Sequence, residues 1–212
     1  MPLFKTIKPN KHTTVFVWKI EESFEDLSID TQLTERSQNR LRSMKSEMHR
    51  RGFLSVRHLL KVAGYSDVDL YYNGNGKPHL TDGKQISITH SFNFSAIIIS
   101  NGEVGIDIEK NREKIKIIQD KFVNFERGFI HKDDDYIQQL TVIWGAKESL
   151  YKIYPYGGLT FKNDIDINSF QIADKKTTGY IKVEGWDKNY SIEFHQIDGF
   201  TLVYALDTAN NV

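Results

Sequence analysis

Apolar residues change their spacing several times along this chain, and each change marks an element. His12 to Ile20 (His-Thr-Thr-Val-Phe-Val-Trp-Lys-Ile) concentrates β-branched and aromatic residues, which predicts a first strand. Ser28 to Arg42 is polar with sparse apolar positions and predicts one or two short helices. From Ser46 to Ala63, Phe53, Val56, Leu59, Leu60 and Ala63 recur at helical spacing, and Gly64 is placed to end the helix. Such a helix buries one stripe and leaves Arg50, Arg57 and Lys61 outside or at its edge.

Leu70 to Leu80 holds two Asn-Gly steps between short extended pieces, which predicts a turn-rich segment. Gln85 to Thr89 and Phe94 to Ser100 read as buried strands flanking His90-Ser-Phe-Asn93, and Asn101-Gly102 predicts a hairpin into Val104 to Glu109. Ile115 to Phe125 reads as a helix. A long helix is predicted from about Asp134 to Tyr154, with Asp133 to Asp135 as its cap and first-turn acids and Ile137, Leu140, Trp144 and Tyr151 as its apolar stripe. Period-2 pieces at Asp166 to Ala173, Thr178 to Glu184, Tyr190 to Gln196 and Phe200 to Leu206 complete an antiparallel sheet. The fold class that follows is α+β, in two halves of similar size, 1–101 and 102–212, each with helices and antiparallel strands.

Composition narrows the function more than the fold. The 212 residues include no cysteine, which excludes disulfides, thiolate catalysis and Cys-based zinc or iron sites. No apolar run is long enough to span a bilayer and the N-terminus lacks the apolar core of a secretory signal, so a cytoplasmic protein without a membrane partner is expected. A formal net charge of zero removes any general argument for nucleic acid. The charge is nonetheless uneven. Residues 1–100 carry 14 Lys/Arg against 10 Asp/Glu and the remainder 14 against 18, with Arg36, Arg40, Arg42, Lys45, Arg50, Arg51, Arg57 and Lys61 opposed by Glu47 alone between positions 36 and 61.

The candidate chemistry lies in the second half. In an extended strand Asp107 and Glu109 of Gly105-Ile-Asp-Ile-Glu109 share a face, while Ile106 and Ile108 take the other. On the later helix Trp144-Gly-Ala-Lys-Glu148-Ser-Leu-Tyr-Lys152, Glu148 and Lys152 are four apart and share one face. If strand and helix pack together, three carboxylates and an ammonium converge, an arrangement that a hard cation such as Mg2+ would hold against repulsion. An edge strand with a wet face and a surface helix pair describe the same two motifs taken singly. His90 opens a polar turn, as a ligand contact or as a core histidine satisfied by a carbonyl. Lys77, after a glycine turn, suits a phosphate or simply solvent.

Gly76-Lys77-Pro78, Ile88-Thr89-His90-Ser91, Val104-Gly105-Ile106-Asp107-Ile108-Glu109 and Trp144-Gly-Ala-Lys147-Glu148-Ser-Leu-Tyr-Lys152, in that order, resemble the 4'-phosphopantetheinyl transferases of the surfactin-type branch. The resemblance runs from about residue 45 to 160. It implies two pseudo-two-fold-related halves, each a small antiparallel sheet packed with helices, the first carrying basic residues that bind coenzyme A and the second the metal and catalytic motifs. It implies transfer of 4'-phosphopantetheine from coenzyme A to a serine of an apo acyl or peptidyl carrier protein, with Mg2+ or Mn2+, by a monomeric holo-carrier-protein synthase. Asp107, Glu109 and Glu148 then resemble the metal ligands, Glu148 and Lys152 the catalytic pair. Arg50, Lys77, Thr89, His90, Asp107 and Lys152 resemble coenzyme A contacts, and Arg36 and Arg40 align loosely as further phosphate contacts. Thr89 and Gly145 depart from the family's commoner residues by small changes. A non-catalytic coenzyme A or carrier-protein binding module and another Mg2+-dependent pyrophosphate-cleaving enzyme are the competing readings.

Overall fold

A computed structural model describes residues 3–208, and the chain divides into two units, Met1–Asn101 and Gly102–Val212. Both combine antiparallel strands with helices, which makes the protein α+β as expected.

The first unit runs β1 (Leu3–Asn10), β2 (Thr13–Lys19), α1 (Phe24–Ile29), α2 (Glu35–Ser43), α3 (Glu47–Val62), β3 (Leu70–Tyr72), β4 (Pro78–Leu80), β5 (Gln85–Ser91) and β6 (Phe94–Ser100). Its main sheet has the order β1-β2-β6-β5, and β3 and β4 form a separate ribbon. The α3 stripe of Phe53, Val56, Leu59 and Leu60 packs with Trp18, Leu27, Leu80, Ile86 and Ile97 in one apolar cluster. Ser46 caps the helix by accepting from the His49 N–H, and Gly64 follows its end at φ 87°, a conformation that glycine takes without the Cβ penalty.

The second unit runs β7 (Val104–Lys110), α4 (Ile115–Ile118), α5 (Tyr136–Ile153), β8 (Ile165–Ile167), β9 (Lys176–Val183), β10 (Trp186–Ile197) and β11 (Phe200–Asp207). Its sheet has the order β7-β11-β10-β9-β8, antiparallel throughout. α5 lies across one face, where Leu140, Ile143, Ala146 and Leu150 join Ile165, Ile181, Ile192, Phe194 and Val203 in the core. No described helix is long and apolar enough to cross a membrane.

Several expectations need correction. β1 is not legible because it is an edge strand with Lys5, Lys8 and Pro9 and no fully buried side chain, so no alternation of burial shows in its sequence. No hairpin forms through Asn101-Gly102: β6 pairs with β2 and β5, whereas β7 pairs with β11. The turn signal was local, and strand pairing from far along the chain overrode it. The tight turn lies instead at Phe92 (φ 52°), joining β5 to β6 directly after His90 and Ser91. The Ile115 to Phe125 helix breaks into α4 and the 3-10 turns Gln119–Lys121 and Phe125–Gly128.

On α5 the acids at 133–135 precede the helix without a side-chain cap bond. Its buried stripe is Leu140, Ile143, Lys147 and Leu150, while Tyr151 is exposed and Ile137 and Trp144 are half-buried. Arg57 is the other correction. It is buried, with Nε 2.9 Å from Asp67 Oδ1 and its guanidinium stacked 3.5 Å from the Phe53 ring centroid, and so contributes nothing to a basic surface.

Candidate active site

The second unit brings the candidate residues together because α5 and β7 approach at backbone distance. A Cβ on Gly105 would lie 1.9 Å from the Ser149 carbonyl oxygen, so only glycine allows the strand to touch the helix there. Ser149 Oγ donates to the carbonyls of Gly145 (2.7 Å) and Val203 (3.2 Å), which ties the helix to β11 as well. A Cβ on Gly145 would lie 2.7 Å from Val203 Cγ2 and 3.7 Å from Asp107 Oδ2, so the Val203 side chain already takes the space a larger residue would need. Gly145 is thus a local packing requirement of this chain.

Against this contact, Asp107 faces α5 from β7, where it pairs in register with Val203, and Glu109 follows on the same face opposite Thr201. Asp107 is 5% exposed, which removes the wet-edge reading for that residue. Lys152, one turn beyond Glu148, donates from Nζ to the Ile106 carbonyl at 2.7 Å and to Asp107 Oδ1 at 2.9 Å. Glu148 is half-buried, and its carboxyl is pushed up to about 7, first by burial and then by the Asp107 charge, with Lys152 opposing and Glu109 adding to the rise. The Asp107 and Glu109 charges therefore both act on Glu148.

Among the described residues, however, no group of three or more His, Asp or Glu side chains is gathered closely enough to hold a metal ion. The Asp107 carboxylate is turned instead to Lys152. The donor set still fits Mg2+. All candidate donors are oxygens, and a cation would offset the burial and repulsion that raise the Glu148 carboxyl. Mg2+ is usually bound by one or two carboxylates completed by substrate phosphates and water, and Asp107 with Glu148 would suffice for that.

The candidate residues of the first unit fall into two groups. His90, exposed at the end of β5, lies beside α3: its ring centroid is 5.9 Å from that of His49, and a Cβ on Gly52 would approach its Cγ to 3.3 Å. Arg50, on the same helix, stacks 3.7 Å from the Phe24 ring centroid, and its buried Nε has no hydrogen-bond partner. Thr89 is buried in β5. Arg36 and Arg40 are exposed on α2, with their guanidinium carbons 5.8 and 5.1 Å from the Tyr72 ring centroid. Tyr72 pairs with Pro78, and the Asn73 N–H donates to the Lys77 carbonyl, so both arginines share the β3–β4 ribbon with Lys77. Tyr72 as the organiser of that group was not evident in the sequence.

A buried ion pair was also missed. Lys147 and Glu126 are both 0% exposed, with Nζ 2.7 Å from Oε1. The ammonium donates further to the carbonyls of Phe122 (2.7 Å) and Phe161 (2.8 Å). Glu126 accepts the N–H groups of Ile167 (3.0 Å) and Asn124 (3.1 Å). Burial pushes the Lys147 ammonium down from its ordinary value, while the Glu126 carboxylate holds it up. The signal was available, since Lys147 stands four after Ile143 and three before Leu150 on the apolar stripe.

No curated protein matches the chain. Residues 103–205, from just before β7 into β11, match the family model of the 4'-phosphopantetheinyl transferase superfamily. This span, a little under half of the chain, contains Asp107, Glu109, Glu148 and Lys152.

Proposed function

We propose that the protein transfers 4'-phosphopantetheine from coenzyme A to a serine of an apo acyl or peptidyl carrier protein, in the manner of the surfactin-type branch. One observation supports the reading: the matched span 103–205 includes Asp107, Glu148 and Lys152, and Lys152 on α5 pairs with Asp107 on β7. In the proposed step the serine oxygen attacks the β-phosphorus of the pyrophosphate, the bridging P–O bond breaks, and adenosine 3',5'-bisphosphate leaves.

Each residue has a task on this reading. Glu148, facing the reacting centre from α5, accepts the serine proton as its oxygen attacks. Lys152, held between the Ile106 carbonyl and Asp107, offers a fixed positive charge to the pyrophosphate and a proton to the departing bisphosphate. Asp107 and Glu148, with Glu109 behind them, would hold Mg2+, which when bound neutralises charge on the pyrophosphate oxygens. Arg50, Lys77, Thr89 and His90, with Arg36 and Arg40 beside Tyr72, are the first unit's candidate contacts to coenzyme A.

The test is intact-mass measurement of a panel of apo carriers after incubation with the protein, coenzyme A and Mg2+. A carrier serine should gain the phosphopantetheine arm, about 340 Da. Asp107→Ala, Glu148→Ala and Lys152→Ala should each lower kcat by roughly two to three orders of magnitude, as removal of one preorganised electrostatic group does. A panel in which no carrier changes mass, or variants that turn over like the parent, would reject the proposal.

A further inference from the structure

The motif lysine beside Glu148 has no path to a substrate, because its ammonium is fully buried and its three protons already meet three acceptors. Those acceptors belong to two separate stretches of chain. Phe122 O and Glu126 lie in the irregular segment between α4 and α5, and Phe161 O lies in the turn after α5. Through Ile167 N–H, Glu126 carries the same network to β8. The held segment has little regular structure of its own: α4 is four residues long, and the 3-10 turns Gln119–Lys121 and Phe125–Gly128 follow. It displays Phe125 outward, 54% exposed, next to the 79% exposed Ile117 of α4.

We propose that Lys147, with Glu126, is an internal latch that fastens segment 119–129 and the turn at Phe161 onto α5, and that it is a positioning residue for a protein acceptor. The second clause rests on the transferase reading above; the first stands alone.

The contacts decide which part moves when the latch is removed. α5 keeps its place on the sheet by other means, namely the Gly105–Ser149 approach, the Ser149 bonds and the Gly145–Val203 packing. The segment also meets α5 at its start, where the Tyr136 hydroxyl donates to Gln119 Oε1, so the stretch from Phe122 to Glu126 is the part that depends on the ammonium. The rings of Phe122 and Phe161 do pack on Trp144, at 5.2 and 5.3 Å between centroids. Without the ammonium, that packing would trap two carbonyls and a carboxylate in apolar surroundings, so the segment must open to rehydrate them. The pair formed by Asp107 and Lys152 lies on β7 and α5 and keeps its geometry.

The experiment compares Lys147→Met with the full-length parent by hydrogen–deuterium exchange and by transfer kinetics. Peptides covering 119–129 and 159–164 should exchange at least about tenfold faster, while β7, β10 and β11 keep their protection. KM for the apo carrier should rise about tenfold with kcat within about threefold, and coenzyme A should still raise the melting temperature. Exchange that is unchanged in 119–129, or that rises equally across the sheet, overturns the latch. A fall in kcat at constant KM overturns the positioning role. If Lys147→Met does not fold, Glu126→Gln, which keeps an acceptor for Ile167 N–H, must show the same local pattern, and a global rise in exchange there refutes the proposal. If the parent transfers nothing to any carrier, the transferase reading and with it the positioning role are refuted, while exchange alone decides the latch.

Discussion

Gly105→Ala is the sharpest test of how the site is assembled. The added methyl would start 1.9 Å from the Ser149 carbonyl oxygen, and an ordinary contact needs at least 3.4 Å, so helix and strand must part by 1.5 Å along that line. The obstacle is backbone, which no rotamer change relieves. Lys152 bridges the same two elements through bonds of 2.7 and 2.9 Å, and such a displacement stretches both beyond hydrogen-bonding range. Overpacking costs about 1–3 kcal/mol and two lost bonds add about 1 kcal/mol each, for a total of about 3–5 kcal/mol. At about 2–4 °C per kcal/mol for a chain of this size, the melting temperature should fall by roughly 6–20 °C. Misplacement of about 1 Å costs about a hundredfold in rate, so residual transfer should drop at least that far. Gly145→Ala is the built-in control, because its methyl meets the side chain of Val203 at 2.7 Å. Val203→Ala should rescue Gly145→Ala and leave Gly105→Ala impaired. Differential scanning fluorimetry and the intact-mass assay read both effects. A Gly105→Ala protein with parental melting temperature and turnover would refute the account of backbone contact.

Two further outcomes follow from charge. In the presence of chelator, Glu148 should make stability fall as pH rises from about 4.5 to about 7: the folded carboxyl is raised, so the folded state binds the extra proton across that window and the contribution is lost above it. Melting curves of Glu148→Gln should lack this component and sit above the parent at pH 7.5, and a parental pH profile in the variant would contradict the burial and repulsion assigned here. In the first unit, burial alone would raise the Asp67 carboxyl, but hydrogen bonds from Thr34 and Ser37 and the Arg57 charge hold it below its ordinary value. Arg57→Met leaves that carboxylate buried beside an apolar chain and should cost about 3–5 kcal/mol in urea unfolding, so a loss under about 1 kcal/mol would show the pair to be dispensable.

Where the sequence was legible, burial and period agreed. α3, β6, β9 and β11 emerged close to their observed bounds because their apolar positions repeat at the spacing that the core enforces, whereas β10 begins four residues before the expected Tyr190. The acids of β7 and the face of α5 bearing Glu148 and Lys152 were legible for the same reason, since periods of 2 and 3.6 fix which side chains share a face. What failed depended on distant partners. An Asn-Gly step cannot reveal that β6 and β7 pair elsewhere, and β1 has no buried face to announce it. Arg57 was expected outside or at the edge of its helix and Lys147 was given no place, because a sequence prints a charge without the carboxylate that meets it inside, Asp67 in one unit and Glu126 in the other. The expected gathering of three carboxylates around one ion is not seen among the described residues, because Asp107 is turned to Lys152, a rotamer that is a property of the folded side chains.

The seclusion of Lys147 bears on chemical labelling. An amine-acylating reagent can modify the exposed lysines of the native protein but finds no surface on this one, whose side chain is 0% exposed. Acylation at Lys147 would therefore time the opening of its surroundings, and a digest that follows this single adduct against the others would separate molecules that have breathed from molecules that have stayed closed.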